Sequence, residues 1–161
     1  MCFVYDPEHL IANPRGVESD LYQETIVDHS KRPRNKGALE RPTHHAEGYN
    51  PLCGDRVTIE VKIEDGHITR LGFEGAGCAI STASASLLTE ALRGKTPAEA
   101  EQTFNKFHDM LTQDGLPASD LGKLAVFSGV RQYPMRVKCA TLAWHTLRAA
   151  LRGEGKSVST E

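Results

Sequence analysis

No apolar run in the 161-residue chain approaches the ~20 residues that a membrane-spanning helix needs. The first ten residues, MCFVYDPEHL, carry acids and a proline where an export signal has a basic end followed by an apolar core. A cytoplasmic protein without a membrane partner is therefore expected. Charge of one sign is also lacking: 19 Lys plus Arg face 21 Asp plus Glu, a net of −2, so the basic footprint of a nucleic-acid binder is missing. There is no internal repeat and no paired Cys-x-x-Cys. Cysteines are few, at positions 2, 53, 78 and 139. In a reducing compartment such thiols stay unbridged, which favours metal binding or thiol chemistry over disulfides. The length suits one domain that buries its own core.

Residues 1–19 hold Pro7, Pro14 and Gly16 without sustained periodicity and read as a flexible extension. Cys2 lies there with no ligand-spaced neighbour. Ser19 or Asp20 would cap a helix starting at Leu21, with Leu21, Tyr22, Thr25, Ile26 and His29 on one face. His29 reads as a packed histidine. Lys31, Arg32, Arg34 and Lys36 at its end complement the helix dipole or offer a patch to an acidic partner.

Strand patterns follow. His44–Asn50 forms a short first strand whose adjacent histidines, His44 and His45, point to opposite faces and cannot share a metal. Val57, Ile59, Val61 and Ile63 alternate with polar residues at period two, and Asp65-Gly66 marks a tight hairpin turn before Ile68, Leu71 and Phe73. Antiparallel pairing brings Cys53 and Asp55, just before one strand, to the same end as Cys78, just after the other. Cys78 opens a helix running to about Arg93, where the unpaired amides of the first turn favour negative charge on sulfur. Thr96-Pro97-Ala98-Glu99 is a capping box, and Ala100, Phe104, Phe107, Met110 and Leu111 form the buried face of the helix it starts. Leu121–Val126 reads as a small surface helix, Tyr133–Lys138 as an approach loop, and Cys139 as the opening of a last helix through Leu151. Residues 153–161 read as a disordered tail.

The expected fold is α+β: a small antiparallel three-stranded sheet packed on one side by helices, with Cys53, Asp55, Cys78 and Cys139 at element junctions near one end of the sheet. Spacing alone leaves two readings of these cysteines open, metal ligands or buried structural thiols.

Four motifs carry a resemblance. Leu21-Tyr22-x-x-x-Ile26-x-Asp28-His29, Asn50-Pro51-x-Cys53-Gly54-Asp55, Gly75-x-Gly77-Cys78-Ala79-Ile80-Ser81 with Ser84, and Arg136-Val137-Lys138-Cys139-Ala140-x-Leu142 together resemble the U-type iron–sulfur cluster assembly proteins over residues 20–152. The pattern is nearer the SufU branch than the IscU scaffolds. Lys138 stands where scaffolds have histidine, about twenty extra residues precede Cys139, and Tyr133–Lys138 replaces the scaffolds' chaperone-recognised Leu-Pro-Pro-Val-Lys loop.

The resemblance implies zinc held by Cys53, Asp55, Cys78 and Cys139. It also implies persulfide sulfur accepted from a SufS-type cysteine desulfurase and passed to downstream assembly proteins, a sulfurtransferase activity that exists only together with the desulfurase. Cys53 is the expected acceptor, because the Gly54 turn lets its segment swing, and Arg136 is the expected orienting residue. The alternatives are a scaffold for a transient iron–sulfur cluster on the same residues and a zinc-stabilised interaction domain. A zinc deaminase is disfavoured, since its His-x-Glu and Pro-Cys-x-x-Cys signature is absent.

Overall fold

A computed structural model of the protein describes residues 16–51, 54–112, 119–153 and 157–159. Cys2, most of the N-terminal extension and Cys53 lie outside the described residues. In chain order the elements are α1 (Gly16–Lys31), β1 (His44–Asn50), β2 (Asp55–Glu64), β3 (His67–Ala76), α2 (Ala79–Leu92), α3 (Pro97–Thr112), a 3₁₀ segment (Ser119–Gln132), α4 (Pro134–Leu151) and β4 (Ser157–Ser159).

The sheet grows from the hairpin. Asp65 and Gly66 both have positive φ, 51° and 78°, which is the backbone a primed two-residue turn requires. β2 and β3 pair antiparallel from Glu64↔His67 to Arg56↔Ala76, with a register shift after Lys62. That bulge resets the alternation, so Leu71 and Phe73 return to the core side with Ile68. β1 pairs antiparallel with β2, from His44↔Val61 to Asn50↔Asp55. His44 and His45 stay out of the core, as their opposite directions require.

The strand order is β3-β2-β1-β4. The three antiparallel strands are those expected; the fourth is not. Residues 157–159 lie parallel to β1, with Val158 opposite Gly48. Ser-Val-Ser is too short to signal a strand by periodicity, and the pairing exists because β1 leaves an open edge on the side away from β2.

Helices cover one face. Along β2 the inward residues Asp55, Val57, Ile59 and Val61 are buried, while their neighbours are exposed or half-buried. α4 packs on β1 and β2, and α2 fills the angle between β3 and α4. Trp144, Phe107 and Phe127 are the largest fully buried side chains. The capping box forms as expected: the Thr96 amide donates to Glu99 Oε1 at 3.1 Å and the Glu99 amide to Thr96 Oγ1 at 3.2 Å. His29 is a packed histidine, with Nδ1 2.7 Å from Ser86 Oγ.

Three boundaries differ from the sequence expectation. Helix α1 starts at Gly16, so Ser19 and Asp20 lie inside it and do not cap it. Leu121, Leu124, Phe127 and Val130 are buried, so their segment belongs to the core and not to the surface. The segment kinks at Gly122 (φ 57°), and beyond the kink Leu124, Phe127 and Val130 recur every third residue, the 3₁₀ repeat that places them on one face. Finally, α4 begins at Pro134, whose preset φ suits the first turn. Tyr133–Lys138 is therefore mostly helix, and Cys139 sits five residues inside α4.

His145 on α4 contacts the Phe104 ring edge-on at 5.2 Å and the His108 ring at 5.8 Å. Burial, reinforced by Arg148 and His108, pushes its pKa from 6.5 down to about 4. An unfolded chain takes this proton near pH 6.5 while the folded chain refuses it. Stability should therefore fall as pH drops from 6.5 towards about 4. Burial lowers His29 too, which adds to the loss over part of that window. Urea melts at pH 7 and pH 5 should differ in midpoint, and His145→Gln should remove the larger part of the difference. An unchanged difference would assign it to other groups.

Candidate metal centre

The end of the sheet opposite the Asp65-Gly66 turn gathers three potential ligands. Asp55 is the first residue of β2, Cys78 caps α2 just beyond β3, and Cys139 reaches in from the second turn of α4. One ligand atom from each lies within 4.8 Å of the others. Asp55 and Cys139 are buried, at 3% and 1% exposure, while Cys78 is half-buried and is the most open of the three.

Local bonding fixes the arrangement. The Cys78 amide donates to Asp55 Oδ1 at 3.1 Å, and Cys78 Sγ stands 3.7 Å from Asp55 Oδ2. One carboxylate oxygen is thus used to position the cysteine and the other faces its sulfur. Cys78 Sγ also accepts the Ser81 amide at 3.5 Å, the N-cap bond of α2. The turn into this cap requires Gly75, which has φ 139° and whose Cβ, if present, would run into the Arg56 carbonyl. A side chain there would break the strand pairing that aligns Asp55 with Cys78.

The third ligand is placed by packing between helices. Ser84 Oγ on α2 donates to the Ala140 carbonyl at 2.5 Å and accepts Trp144 Nε1–H at 3.2 Å. This buried pair of bonds sets the register of α4 against α2, and with it the approach of Cys139 to Cys78. Trp144 carries no periodicity signal beyond that of an ordinary core residue, so its positioning role emerges only from the fold.

Of the expected site residues, the structure brings together Asp55, Cys78 and Cys139. Cys53, two residues before Asp55, lies outside the described residues. Arg136 is half-buried in the first turn of α4, one helical turn before Cys139. Lys138 is also half-buried rather than fully solvated.

The donor set fits zinc. Zinc–sulfur bonds of about 2.3 Å and zinc–oxygen bonds of about 2.0–2.2 Å place tetrahedral ligand atoms roughly 3.5–3.8 Å apart. The Cys78–Asp55 pair already stands at 3.7 Å. A carboxylate and two sulfurs this close together, with Asp55 and Cys139 buried and Cys78 half-buried, are a donor set of the type zinc takes. Asp55, Cys78 and Cys139 would supply three ligands, and Cys53 is the nearest candidate in sequence for a fourth.

Comparison with known proteins agrees with this geometry. Residues 21–151 match the NifU-like N terminal domain family. The chain is 40% identical over 135 residues to the zinc-dependent sulfurtransferase SufU of Bacillus subtilis, covering 83% of this chain and 91% of that protein. It is 39% identical over 133 residues to the iron–sulfur cluster assembly scaffold protein IscU of Streptococcus pyogenes, covering 82% and 83% respectively. Among solved structures, the putative SUF-system scaffold protein of Fervidobacterium islandicum superposes with a TM-score of 0.74 at 39% identity, over 80% of this chain and 94% of that one. The domain match over residues 21–151, together with relatives of this identity and coverage, establishes that the chain belongs to the NifU-like N-terminal domain family, the U-type proteins that include IscU and SufU.

Proposed function

We propose that this U-type protein is a zinc-dependent sulfur carrier that takes persulfide sulfur from a SufS-type cysteine desulfurase for iron–sulfur cluster assembly. The observation that carries the reading is the grouping of Asp55, Cys78 and Cys139 within 4.8 Å, with Cys53 only two residues from Asp55. The naming of one relative as a zinc-dependent sulfurtransferase supports it. So does Lys138, which stands where the resemblance places a histidine in scaffolds, since an amine is a rarer metal ligand than an imidazole.

When bound, zinc would keep the site's cysteines deprotonated and guarded from oxidation. Asp55, Cys78 and Cys139 hold the site together through β2, the α2 cap and α4. Cys53 is the acceptor: as a thiolate it attacks the outer sulfur of the persulfide on the desulfurase. The sulfur–sulfur bond of the donor breaks, a new one forms on Cys53 Sγ, and the donor cysteine leaves as a thiolate. The transferred sulfur keeps its oxidation state, so no external oxidant or reductant is needed. Arg136, one turn before Cys139, orients the partner at the mouth of the site. The receiving partners are downstream assembly proteins. Among the described residues no helix is long and apolar enough to cross a membrane.

The test is metal analysis combined with mass spectrometry after mixing the protein with a desulfurase and cysteine. The expected result is one tightly bound zinc and an added sulfur on Cys53. Cys53→Ala should keep the circular dichroism spectrum of the fold while sulfur uptake falls to background. A stable cluster with visible absorption in the isolated protein would assign the scaffold role instead. No uptake by the wild type would leave a zinc-stabilised interaction domain.

A further inference from the structure

A second concave site lies at the other end of α2, about 20 Å from Cys78 by the length of a 14-residue helix. Its cavity, about 200 Å³, is lined by Asn35, Lys36, Arg70, Thr89 and Arg93 among others. The three cations come from three separate elements. Lys36 lies in the loop after α1, Arg70 on β3, and Arg93 at the C-cap of α2.

The loop that carries Lys36 is strapped in place. Asn35 Nδ2 donates to Thr89 Oγ1 at 3.0 Å, the Arg34 amide to Ser86 Oγ at 2.8 Å, and the Gly37 amide to the Phe73 carbonyl at 2.8 Å. The loop thereby covers the outer edge of β3, and Lys36 is held beside the strand that bears Arg70. No acidic residue lines the cavity. The neighbouring carboxylates are engaged elsewhere: Glu90 faces His29 at 3.5 Å, and Glu60 accepts the Leu39 amide at 3.2 Å. Among the described residues, Lys36, Arg70 and Arg93 form no ion pair.

Lys36, Arg70 and Arg93, all exposed, line one cavity without an acidic residue among its walls, which gives it a positive potential that favours an anion. Guanidinium forks match the oxygens of phosphate and carboxylate groups. Large exposed hydrophobics, the anchors of a protein interface, are limited among the described residues to Tyr133 and Met135, both at the start of α4. The cavity itself offers charge without such an anchor. We propose that it binds a compact small-molecule polyanion, a phosphate or carboxylate compound with at least two negative charges, independently of the metal centre.

Calorimetric titration of the full chain at constant ionic strength, with pyrophosphate in one arm and citrate in the other, tests this. At least one should bind saturably at one site per chain, and the stronger arm identifies the group. Arg70→Gln or Arg93→Gln should weaken that binding by about tenfold or more, the worth of a charge-assisted bond, with the melting temperature unchanged. Lys106→Gln, on the water-facing side of α3, should bind like the wild type. Binding that never saturates, or that ignores the Arg70 and Arg93 substitutions, would overturn the proposal. So would an oligoglutamate peptide that binds there and is displaced by neither small anion, since the patch would then be a protein-docking surface.

Discussion

Cys78→Ser should reduce zinc affinity by two to three orders of magnitude and stop sulfur uptake, while leaving the sheet and helices intact. Structural zinc sites are worth about 10–16 kcal/mol, or roughly 2.5–4 kcal/mol for each of four ligands. Each 1.4 kcal/mol is tenfold in affinity. A serine oxygen does not replace a thiolate as a soft donor, though it still accepts the Ser81 amide and so keeps the α2 cap. That makes Cys78 a cleaner probe than Cys139, which is 1% exposed and packed into α4. Competition against a chelator of known affinity measures the effect, with circular dichroism as the control for folding. Zinc affinity equal to that of the wild type would remove Cys78 from the ligand set.

Trp144→Ala should cost about 3–5 kcal/mol, the range for deleting a buried aromatic side chain. For a chain of this size that lowers the melting temperature by about 6–20 °C. Trp144 is 0% exposed and stacks on Phe107 with ring centroids 4.7 Å apart. It also donates to Ser84 Oγ, the hydroxyl that ties α2 to the Ala140 carbonyl. Trp144→Phe separates the two contributions. A benzene ring keeps most of the stacking and loses only the N–H bond, so its cost should be about 1–2 kcal/mol. Equal losses for the two variants would mean that the hydrogen bond, not the packing, dominates.

Much of the site could be read along the chain because it is built on local patterns. The period-two run from Val57 to Ile63 and the Asp65-Gly66 turn require Cys78 to return to the end where Asp55 begins its strand. Likewise the capping box at Thr96 and the apolar spacing from Ala100 to Leu111 define α3 without help from the rest of the fold. These signals depend on backbone geometry and on which face of an element is apolar, and both are properties of adjacent residues.

Other features escaped for physical reasons. β4 is three residues long and exists only because β1 has an edge to offer. Leu121 is buried on one side of a kink at Gly122 and Leu124, Phe127 and Val130 on the other, a broken pattern that reads in sequence as a small surface helix. The early start of α4 depends on Pro134 serving as a first-turn residue, where an isolated Tyr-Pro pair reads equally well as a loop.

The sequence by itself determined that Asp55 and Cys78 meet, because a hairpin of known register joins them. The tertiary structure alone decided that Cys139 joins them, since 61 residues separate it from Cys78 and no local pattern fixes how α4 lies on α2. That orientation is set by the Ser84 bonds and by Trp144 packing on Phe107. Contacts between distant segments form only once the core has closed, and so Cys139 reaches Asp55 and Cys78 through packing.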